Sequence, residues 1–320
     1  MAIVRLAELI DQPATAAFLR GVVAGGRFAN AYLFHGPAGV GKGTAALAFA
    51  RALLCERGAG APAPRANDLF AAAAPAPARA ATLDDACGEC GACIKTGTLQ
   101  HPDLKLLFPV SGEERELDET IAETVAAMRH DPLHVFVYDK AASIRLSTTR
   151  ELLRELAYQP YEAPRRVVVV RDADRMREDQ YSALLKSIEE PGTTVWVLTS
   201  SRVNRLPATI RSRCQRVRFA PLPETSVMRF LEERADVDRR ESRLLAALSG
   251  GSLTRALELR DSGAIETRNE ALALLAPAQA KDPSGLWKAC QAYMKYGRTG
   301  RAQLRRMIEF HQLWVRDLLR

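Results

Sequence analysis

The sequence lacks any apolar run approaching the roughly 20 residues that a membrane-spanning helix needs. Its first residues, Met1 to Arg5, lead into mixed polar sequence and not into the apolar core of a secretion signal. These two absences predict a cytoplasmic protein without a membrane partner. A strong excess of charge is also missing, because the net charge of +7 is compatible with a nucleic-acid neighbour but does not by itself indicate one.

Short apolar and β-branched runs alternate with helical patterns along the first two thirds of the chain. A helical lead-in occupies residues 1–30. Strands are predicted at 31–35, 104–110, 135–138, 167–170 and 194–199, and helices at 44–55, 147–157 and 180–189. Because strands and helices alternate, the sequence predicts an α/β fold built on a parallel sheet.

The composition of the chain changes at two places. Residues 58–86 are dominated by alanine and proline. The repeated prolines block a long helix and little in the segment could form a core, so we predict a disordered insertion there. Beyond residue 221 the strand signals stop and helical patterns continue. We therefore expect an α/β domain at 1–221, a small helical domain at 222–263 and a further helical segment at 264–320.

A glycine-rich segment, GPAGVGKGT, follows the first predicted strand. In a phosphate-binding P-loop, glycines such as Gly36, Gly39 and Gly41 let backbone N–H groups surround phosphate oxygens. Lys42 would contact the outer phosphates, and the start of the following helix favours an anion. The segment therefore predicts an ATP-binding P-loop, with a tight glycine turn that holds no ligand as the alternative.

Two residues that would hold magnesium are replaced. Gly43 stands where a P-loop has serine or threonine, and Thr44 comes one place late. Arg171 follows the 167–170 strand, where a metal-binding acid is expected, and Asp172 stands in the place of the second acid. A solvated strand end is the alternative for these two residues. The pattern predicts a degenerate ATPase whose ATP binding is weak or insensitive to Mg²⁺ and whose own hydrolysis is negligible.

Three cysteines form a CxxCxxC cluster at Cys87, Cys90 and Cys93. In a cytosolic chain this spacing indicates metal binding before a disulfide. Thiolates so spaced can surround one tetrahedral Zn²⁺, and the fourth ligand is either Cys55 or His101. A set of four protein ligands leaves no open position for water, so the predicted zinc is structural.

Two further segments carry a family resemblance: LLKSIEEP at 184–191 and LPATIRSRC at 206–214. Together with the glycine loop and the cysteine cluster, they resemble the bacterial clamp-loader family of AAA+ proteins over most of residues 2–259. The resemblance implies that the α/β domain is an AAA+ domain with a zinc module at 55–101. The helical domain would then be the lid, and the last segment a collar that is short or truncated for the family.

The resemblance also implies roles for single residues. Arg213, in the Ser-Arg-Cys segment, would be an arginine finger that reaches the ATP of an adjacent subunit, with a structural ion pair as the alternative. A zinc module after the P-loop helix is typical of the family, which favours Cys55 over His101. In the lid, Thr254 would occupy a nucleotide-sensing place and Arg255 would lie one residue late.

Ser200 or Ser201 could fill the second sensing place of the family pattern, and a strand-end hydroxyl without that role is the alternative. Two subunit types compete within the family. A motor subunit, gamma or tau, needs intact metal-binding residues, whereas a stator subunit can lose them and keep its finger. Gly43 and Arg171 therefore favour the stator.

The family implies a pentameric loader with delta and gamma/tau subunits that acts on the sliding clamp and primed DNA. The assembly is part of DNA polymerase III, although this chain would not polymerise nucleotides. Two alternatives come from other classes. One is a standalone P-loop kinase or ATPase, and the other is a zinc-dependent nucleic-acid-binding module, against which the missing aromatic residues around the cysteines argue.

Overall fold

The computed structural model describes residues 4–58, 83–111, 117–130, 142–273, 277, 280–294, 305, 307–312 and 314–316. The predicted insertion at 58–86 falls largely outside these residues, and the predicted strand at 135–138 falls entirely outside them. The chain divides into two compact units, Met1–Leu222 and Pro223–Arg320. No helix within the described ranges combines the length and the apolar character that crossing a bilayer requires.

The first unit is built on a parallel sheet, as the sequence predicts, and five of its strands lie within the described residues. Its strands are β1 (Ala31–His35), β2 (Leu104–Leu107), β3 (Arg166–Val170), β4 (Thr194–Ser200) and β5 (Gln215–Arg218). Their spatial order is β2-β3-β4-β1-β5, and every neighbouring pair is parallel. Strand β5 was not predicted, because only Val217 of its four residues is buried and the apolar signal of a central strand is missing.

Helices flank the sheet in the first unit and make up the second. Those of the first unit are α1 (Pro13–Gly25), α2 (Lys42–Leu54), α3 (Gly91–Gly97), α4 (Leu117–His130), α5 (Leu146–Leu156), α6 (Glu178–Glu189) and α7 (Ala208–Arg213). Those of the second unit are α8 (Glu224–Arg234), α9 (Arg239–Ser249), α10 (Leu253–Asp261), α11 (Ala264–Ala273) and α12 (Pro283–Met294). The division of these last helices into a lid and a collar remains a prediction.

Strands that are covered on both faces explain the uninterrupted apolar runs of the sequence. Alternate residues of a strand point to opposite faces, so Val167 and Val169 join one core cluster and Val168 and Val170 join the other. Trp196 of β4 is fully buried, and its indole N–H donates to the carbonyl of Ser187 in α6 at 3.2 Å. This bond fixes the LLKSIEEP helix to the sheet.

Two helices of the second unit, α9 and α10, begin with a side-chain cap. The carboxylate of Asp238 accepts the backbone N–H groups of Arg240 and Glu241 at the start of α9. Gly250, with φ of 61°, ends α9 in the left-handed conformation that favours glycine. Ser252 then caps α10 by accepting the N–H of Arg255 at 3.1 Å. These caps explain why the Gly250-Gly251 break separates two helices.

Candidate functional site

Parallel strands place their carboxyl ends at one edge of the sheet, and the candidate nucleotide site lies there. The loop between β1 and α2 needs its glycines. Gly39 and Gly41 have φ of 72° and 89°, and a side chain on Gly36 would collide with the backbone oxygen of Phe219. These three residues, which the sequence predicted for phosphate binding, thus hold the close-packed loop that such binding requires.

Lys42 is the first residue of α2 and is only 5% exposed. Its ammonium donates hydrogen bonds to the carbonyl of Gly36 at 2.9 Å, to the carbonyl of Pro37, and to the hydroxyl of Ser201 at 3.1 Å. The lysine therefore lies folded back on its own loop and on the end of β4. A phosphate group would have to replace some of these contacts.

The charges around Lys42 have opposing effects on its protonation. Burial lowers the pKa of Lys42 to about 8, and Arg171 acts in the same direction. The carboxylates of Asp172 and Asp174 oppose this shift, because a negative neighbour favours the charged ammonium. Two cationic side chains thus lie close enough at this edge of the sheet to affect each other.

The two unusual positions of the magnesium site are neighbours in space. A Cβ atom on Gly43 would lie 2.9 Å from Cζ of Arg171 and 3.0 Å from its Nη2. The guanidinium of Arg171 therefore occupies the space beside Gly43 into which a serine or threonine side chain would extend. Thr44 is half-buried in the first turn of α2.

Asp174 connects the ends of β3 and β4. Its carboxylate accepts the hydroxyl of Ser200 at 2.9 Å, the backbone N–H of Ser201 at 3.2 Å and Nε of Arg202 at 2.8 Å. Burial would raise the pKa of Asp174, but the hydrogen bonds from these three residues outweigh it and lower the pKa. Asp172, the residue predicted for the second acid, has φ of 46° and donates its N–H to the hydroxyl of Thr199 at 3.0 Å.

The four predicted cysteine ligands come together. Sγ atoms of Cys55, Cys87, Cys90 and Cys93 all lie within 4.8 Å of one another, and no disulfide joins them. Zinc–sulfur bonds of 2.3 Å at tetrahedral angles place sulfurs about 3.8 Å apart, and the sulfurs of Cys87 and Cys93 are 3.8 Å apart. The cluster therefore fits one tetrahedral metal ion.

Backbone N–H groups point at the sulfurs, as suits thiolate ligands. Cys87 donates its N–H to Sγ of Cys55, Cys90 donates to Cys87, and Cys93 donates to Cys90, each at 3.4 Å. The thiol of Cys93 also interacts with Cys55, and this hydrogen bond is the main reason that the pKa of Cys55 falls to about 5. The three backbone N–H groups favour the thiolate form of the sulfurs to which they donate.

Arg51 of α2 braces the cluster although the sequence did not single it out. Its side chain is 5% exposed and donates from Nε to the carbonyl of Cys93 at 3.2 Å and from Nη2 to that of Gly88 at 3.4 Å. The competing ligand, His101, is not part of the cluster. It is 3% exposed, and its Nδ1 accepts the N–H of Asp103 at 3.1 Å.

Arg213 ends the short helix α7, and its side chain is 39% exposed. Nη1 donates to the carbonyl of Thr209 at 2.9 Å, and Nη2 forms an ion pair with Oε1 of Glu189 at 2.6 Å. Glu189 lies in the LLKSIEEP segment, so the two segments that carry the family resemblance meet through this pair. Glu189 was not predicted as a site residue from the sequence, although its place in the LLKSIEEP segment could have pointed to it.

The residues predicted to sense nucleotide belong to different units: Ser200 and Ser201 to the first, Thr254 and Arg255 to the second. Ser201 contacts Lys42, as described above, and Ser200 contacts Asp174. Arg255 belongs to the second unit, where its Nη2 lies 3.5 Å from Oε2 of Glu309. A nucleotide-sensing role for Arg255 or for its neighbour Thr254 stays a prediction.

The sheet and the loop together define the class of protein. A parallel sheet in the order β5-β1-β4-β3-β2, with a glycine-rich loop between β1 and α2, is the AAA+ form of the P-loop fold. The sequence profile of the family described as DNA polymerase III, delta subunit, matches residues 11–69 and 65–223. The chain belongs to this family of DNA polymerase III clamp-loader subunits.

Individual relatives agree with the family. The chain is 33% identical over 249 residues to the DNA polymerase III delta' subunit of Pseudomonas aeruginosa, which covers 76% of this chain and 60% of that protein. It is 27% identical to the delta' subunit of Bacillus subtilis, with coverages of 82% and 64%. It is 23% identical to the tau subunit of the same organism, with coverages of 80% and 37%. The chain thus spans less than two thirds of each relative's length.

Proposed function

We propose that this chain is a delta'-type stator of a DNA polymerase III clamp loader, in which Arg213 acts on ATP bound by a neighbouring subunit. The partners would be the delta and gamma/tau subunits, the sliding clamp and primed DNA. The proposal is carried by one observation: the chain keeps an exposed arginine at the end of α7 while the residues for its own magnesium are replaced. A stator subunit can lose its own metal-binding residues and still keep the finger.

The environment of Arg213 suits a finger that works between subunits. Its ion pair with Glu189 is open to solvent, since the two side chains are 39% and 45% exposed, and such pairs contribute at most about 1 kcal/mol. A phosphate group can therefore compete for the guanidinium. The planar group offers paired N–H donors that match phosphate oxygens and stays charged at every physiological pH.

The cysteine cluster would hold one structural Zn²⁺ through Cys55, Cys87, Cys90 and Cys93. The metal would supply cross-linking and no chemistry, because four thiolates fill a tetrahedral coordination sphere. Cys55 ends α2, which begins at the P-loop lysine, so the zinc module would be joined directly to the helix of the nucleotide site.

A gamma/tau-type motor is the second candidate. The kept glycine loop with Lys42 and the similarity to a tau subunit favour it. The two candidates differ in the isolated chain. A stator should show no ATP turnover above background with Mg²⁺, whereas a motor should turn over ATP and lose that activity on substitution of Lys42→Ala. Turnover that disappears in the Lys42 variant would contradict the stator proposal.

Reconstitution tests the proposed role in the assembly. The purified chain should form a stable complex with delta and gamma/tau, and clamp- and DNA-dependent ATP turnover should require it. Size-exclusion chromatography followed by steady-state ATPase measurement, with and without this chain, gives both answers. A loader that assembles and turns over ATP equally well without the chain would exclude the proposal.

A further inference from the structure

The Arg171 guanidinium lies at the place where other P-loop proteins have the side chains that hold a divalent cation. Its Cζ, Nη2 and Nε atoms are 2.9, 3.0 and 3.1 Å from the position of a Cβ atom on residue 43. A serine or threonine at position 43 would therefore require the guanidinium, the end of a flexible side chain, to shift. Gly43 and Arg171 thus form one arrangement, in which the absence of a side chain on Gly43 makes room for the arginine.

The two positions that would hold magnesium in a P-loop ATPase offer no ligand for it here. Mg²⁺ requires oxygen ligands at about 2.0–2.1 Å in nearly octahedral geometry. Neither Gly43 nor Arg171 offers a side-chain oxygen, and the arginine would repel a divalent cation. The buried carboxylate of Asp174 already accepts hydrogen bonds from Ser200 and Arg202, among others.

We propose that the guanidinium of Arg171 takes the place of the metal ion, so that this site binds the phosphate chain of a nucleotide without a divalent cation. The ligand is a free nucleoside triphosphate or diphosphate and not its magnesium complex. The proposal rests on the proposed function, which assigns the glycine loop to an ATPase that has lost hydrolysis. It adds the form of the ligand and the group that replaces the metal.

The chemistry of the site supports this ligand. A guanidinium binds phosphate oxygens through paired, charge-assisted N–H donors, which a metal ion bound by protein oxygens cannot provide. The positive φ angles of Gly39 and Gly41 preserve the turn in which backbone N–H groups can cradle phosphate. Burial and Arg171 oppose the charge on Lys42, whereas Asp172 and Asp174 favour it, so a phosphate group would act in the same direction as these two carboxylates.

Charge alone also favours phosphate. The pKa of His35, at the end of β1, is lowered first by burial and then by the nearby Arg216, Arg218 and Lys42. Three cationic side chains thus act on the end of β1, while the carboxylates of Asp172 and Asp174 act on Lys42. Loss of a metal ion then does not leave the phosphates without counter-charge.

Binding of ATP to the purified full chain, measured by isothermal titration calorimetry, tests the proposal. One titration contains excess EDTA and the other excess Mg²⁺. We expect binding in EDTA with a dissociation constant no more than about threefold weaker than in Mg²⁺. Absence of binding in EDTA, or binding at least tenfold tighter with Mg²⁺, would overturn the proposal, and this comparison needs no variant that must fold.

Three variants locate the effect. Arg171→Ala should weaken metal-free ATP binding roughly tenfold to a hundredfold, as loss of a charge-assisted hydrogen bond predicts. Gly43→Ser should weaken it similarly, because its side chain displaces the guanidinium. Arg177→Ala is the matched control: that arginine is 74% exposed and lies six residues further along the chain, so its removal should leave the affinity unchanged. Unchanged affinity in Arg171→Ala would refute the assignment.

A double substitution inverts the metal dependence. Gly43→Ser combined with Arg171→Asp restores a hydroxyl and a carboxylate, and we expect ATP binding that now requires Mg²⁺. A double variant that still binds ATP equally well in EDTA would contradict the proposal. All of these outcomes concern the chain's own site, so a negative result here leaves the role of Arg213 in the loader to be tested separately.

Discussion

At the scale of single residues, the cysteines are the most direct test of chemistry. Sγ atoms of four cysteines lie within 4.8 Å, and backbone N–H groups point at three of them. We predict that the purified chain contains about one zinc ion, held by thiolates. Cys90→Ser should lower the zinc content several-fold and lower the thermal stability, because a hydroxyl is a much poorer zinc ligand than a thiolate.

Cys214→Ala is the control for this substitution. Cys214 is also buried, and burial raises its pKa to about 11, so it is a neutral thiol outside the cluster. Its removal should leave the zinc content unchanged. Equal, near-zero zinc in the wild-type chain and in Cys90→Ser, measured by atomic absorption, would show that the cysteines hold no metal.

Asp174 is predicted to stabilise the strand ends through its charge. In Asp174→Asn, the amide NH₂ would face an N–H group that now donates to the carboxylate. This should lower the free energy of unfolding by about 1–3 kcal/mol at pH 7. The folded chain lowers the pKa of Asp174, so the contribution is present above the usual value of about 3.9 and is lost as the pH falls through the folded value.

Urea unfolding of both chains at several pH values measures this effect. The difference in unfolding free energy between wild type and Asp174→Asn should be constant near neutral pH and should shrink below about pH 4. A difference that grows on acidification, or that is absent at pH 7, would show that the carboxylate does not act in this way.

At the scale of elements, the sequence predicted the strands that are buried on both faces and missed the one that is not. The valine run of β3 is unmistakable because each residue meets a helix layer, whereas Gln215–Arg218 exposes three of four side chains at the sheet edge. The contact between Gly43 and Arg171 could not be predicted from the sequence at all. No spacing rule links position 43 to position 171, because their contact depends on how the loop and β3 end beside each other.

The connection between α5 and β3 is held by a buried acid that the sequence did not single out. Asp103 is fully buried and accepts the N–H groups of Tyr161, Glu162 and Ala163 at 2.7 to 2.9 Å. We predict that Asp103→Asn lowers the free energy of unfolding by roughly 1–3 kcal/mol, because one part-buried N–H donor would then face an NH₂ group.

Glu162→Gln is the matched control for Asp103→Asn. This substitution affects the same connection but removes only the ion pair with Lys95, in which the side chains of Lys95 and Glu162 are 46% and 45% exposed. It should lower the free energy of unfolding by less than about 1 kcal/mol. Chemical denaturation of the two variants compares them directly. Equal losses of stability would mean that Asp103 has no special part in holding this connection.

At the scale of the whole molecule, two arginines are proposed to have separate tasks. The guanidinium of Arg171 lies beside Gly43, where we propose that it replaces the metal ion. Arg213 is exposed at the end of α7, where we propose that it acts on a neighbouring subunit. The sequence drew attention to Arg171 because an acid is expected there in a P-loop ATPase. It drew attention to Arg213 through the family resemblance. It could not predict that Arg213 pairs with Glu189, since the two residues are distant along the chain.

The most direct test of the central claim is ATP turnover by a reconstituted loader that contains Arg213→Ala, with the clamp and primed DNA present. The chain should fold and assemble normally, because a surface guanidinium contributes little to stability. Turnover at the neighbouring site should fall steeply, since fingers in GTPases are worth about 10³–10⁵ in rate, although other ATP sites would make the total loss smaller. Arg213→Lys should fail nearly as badly, because a point charge lacks the planar fork.

Arg205→Ala, which removes an exposed arginine shortly before α7, is the control and should keep full turnover. Clamp loading and ATP turnover should be measured side by side on assembled complexes. The account predicts that both fall in Arg213→Ala and that neither falls in Arg205→Ala. If both stay at the wild-type level in Arg213→Ala while assembly is confirmed, Arg213 is an ordinary surface arginine and the proposed function of this chain is wrong.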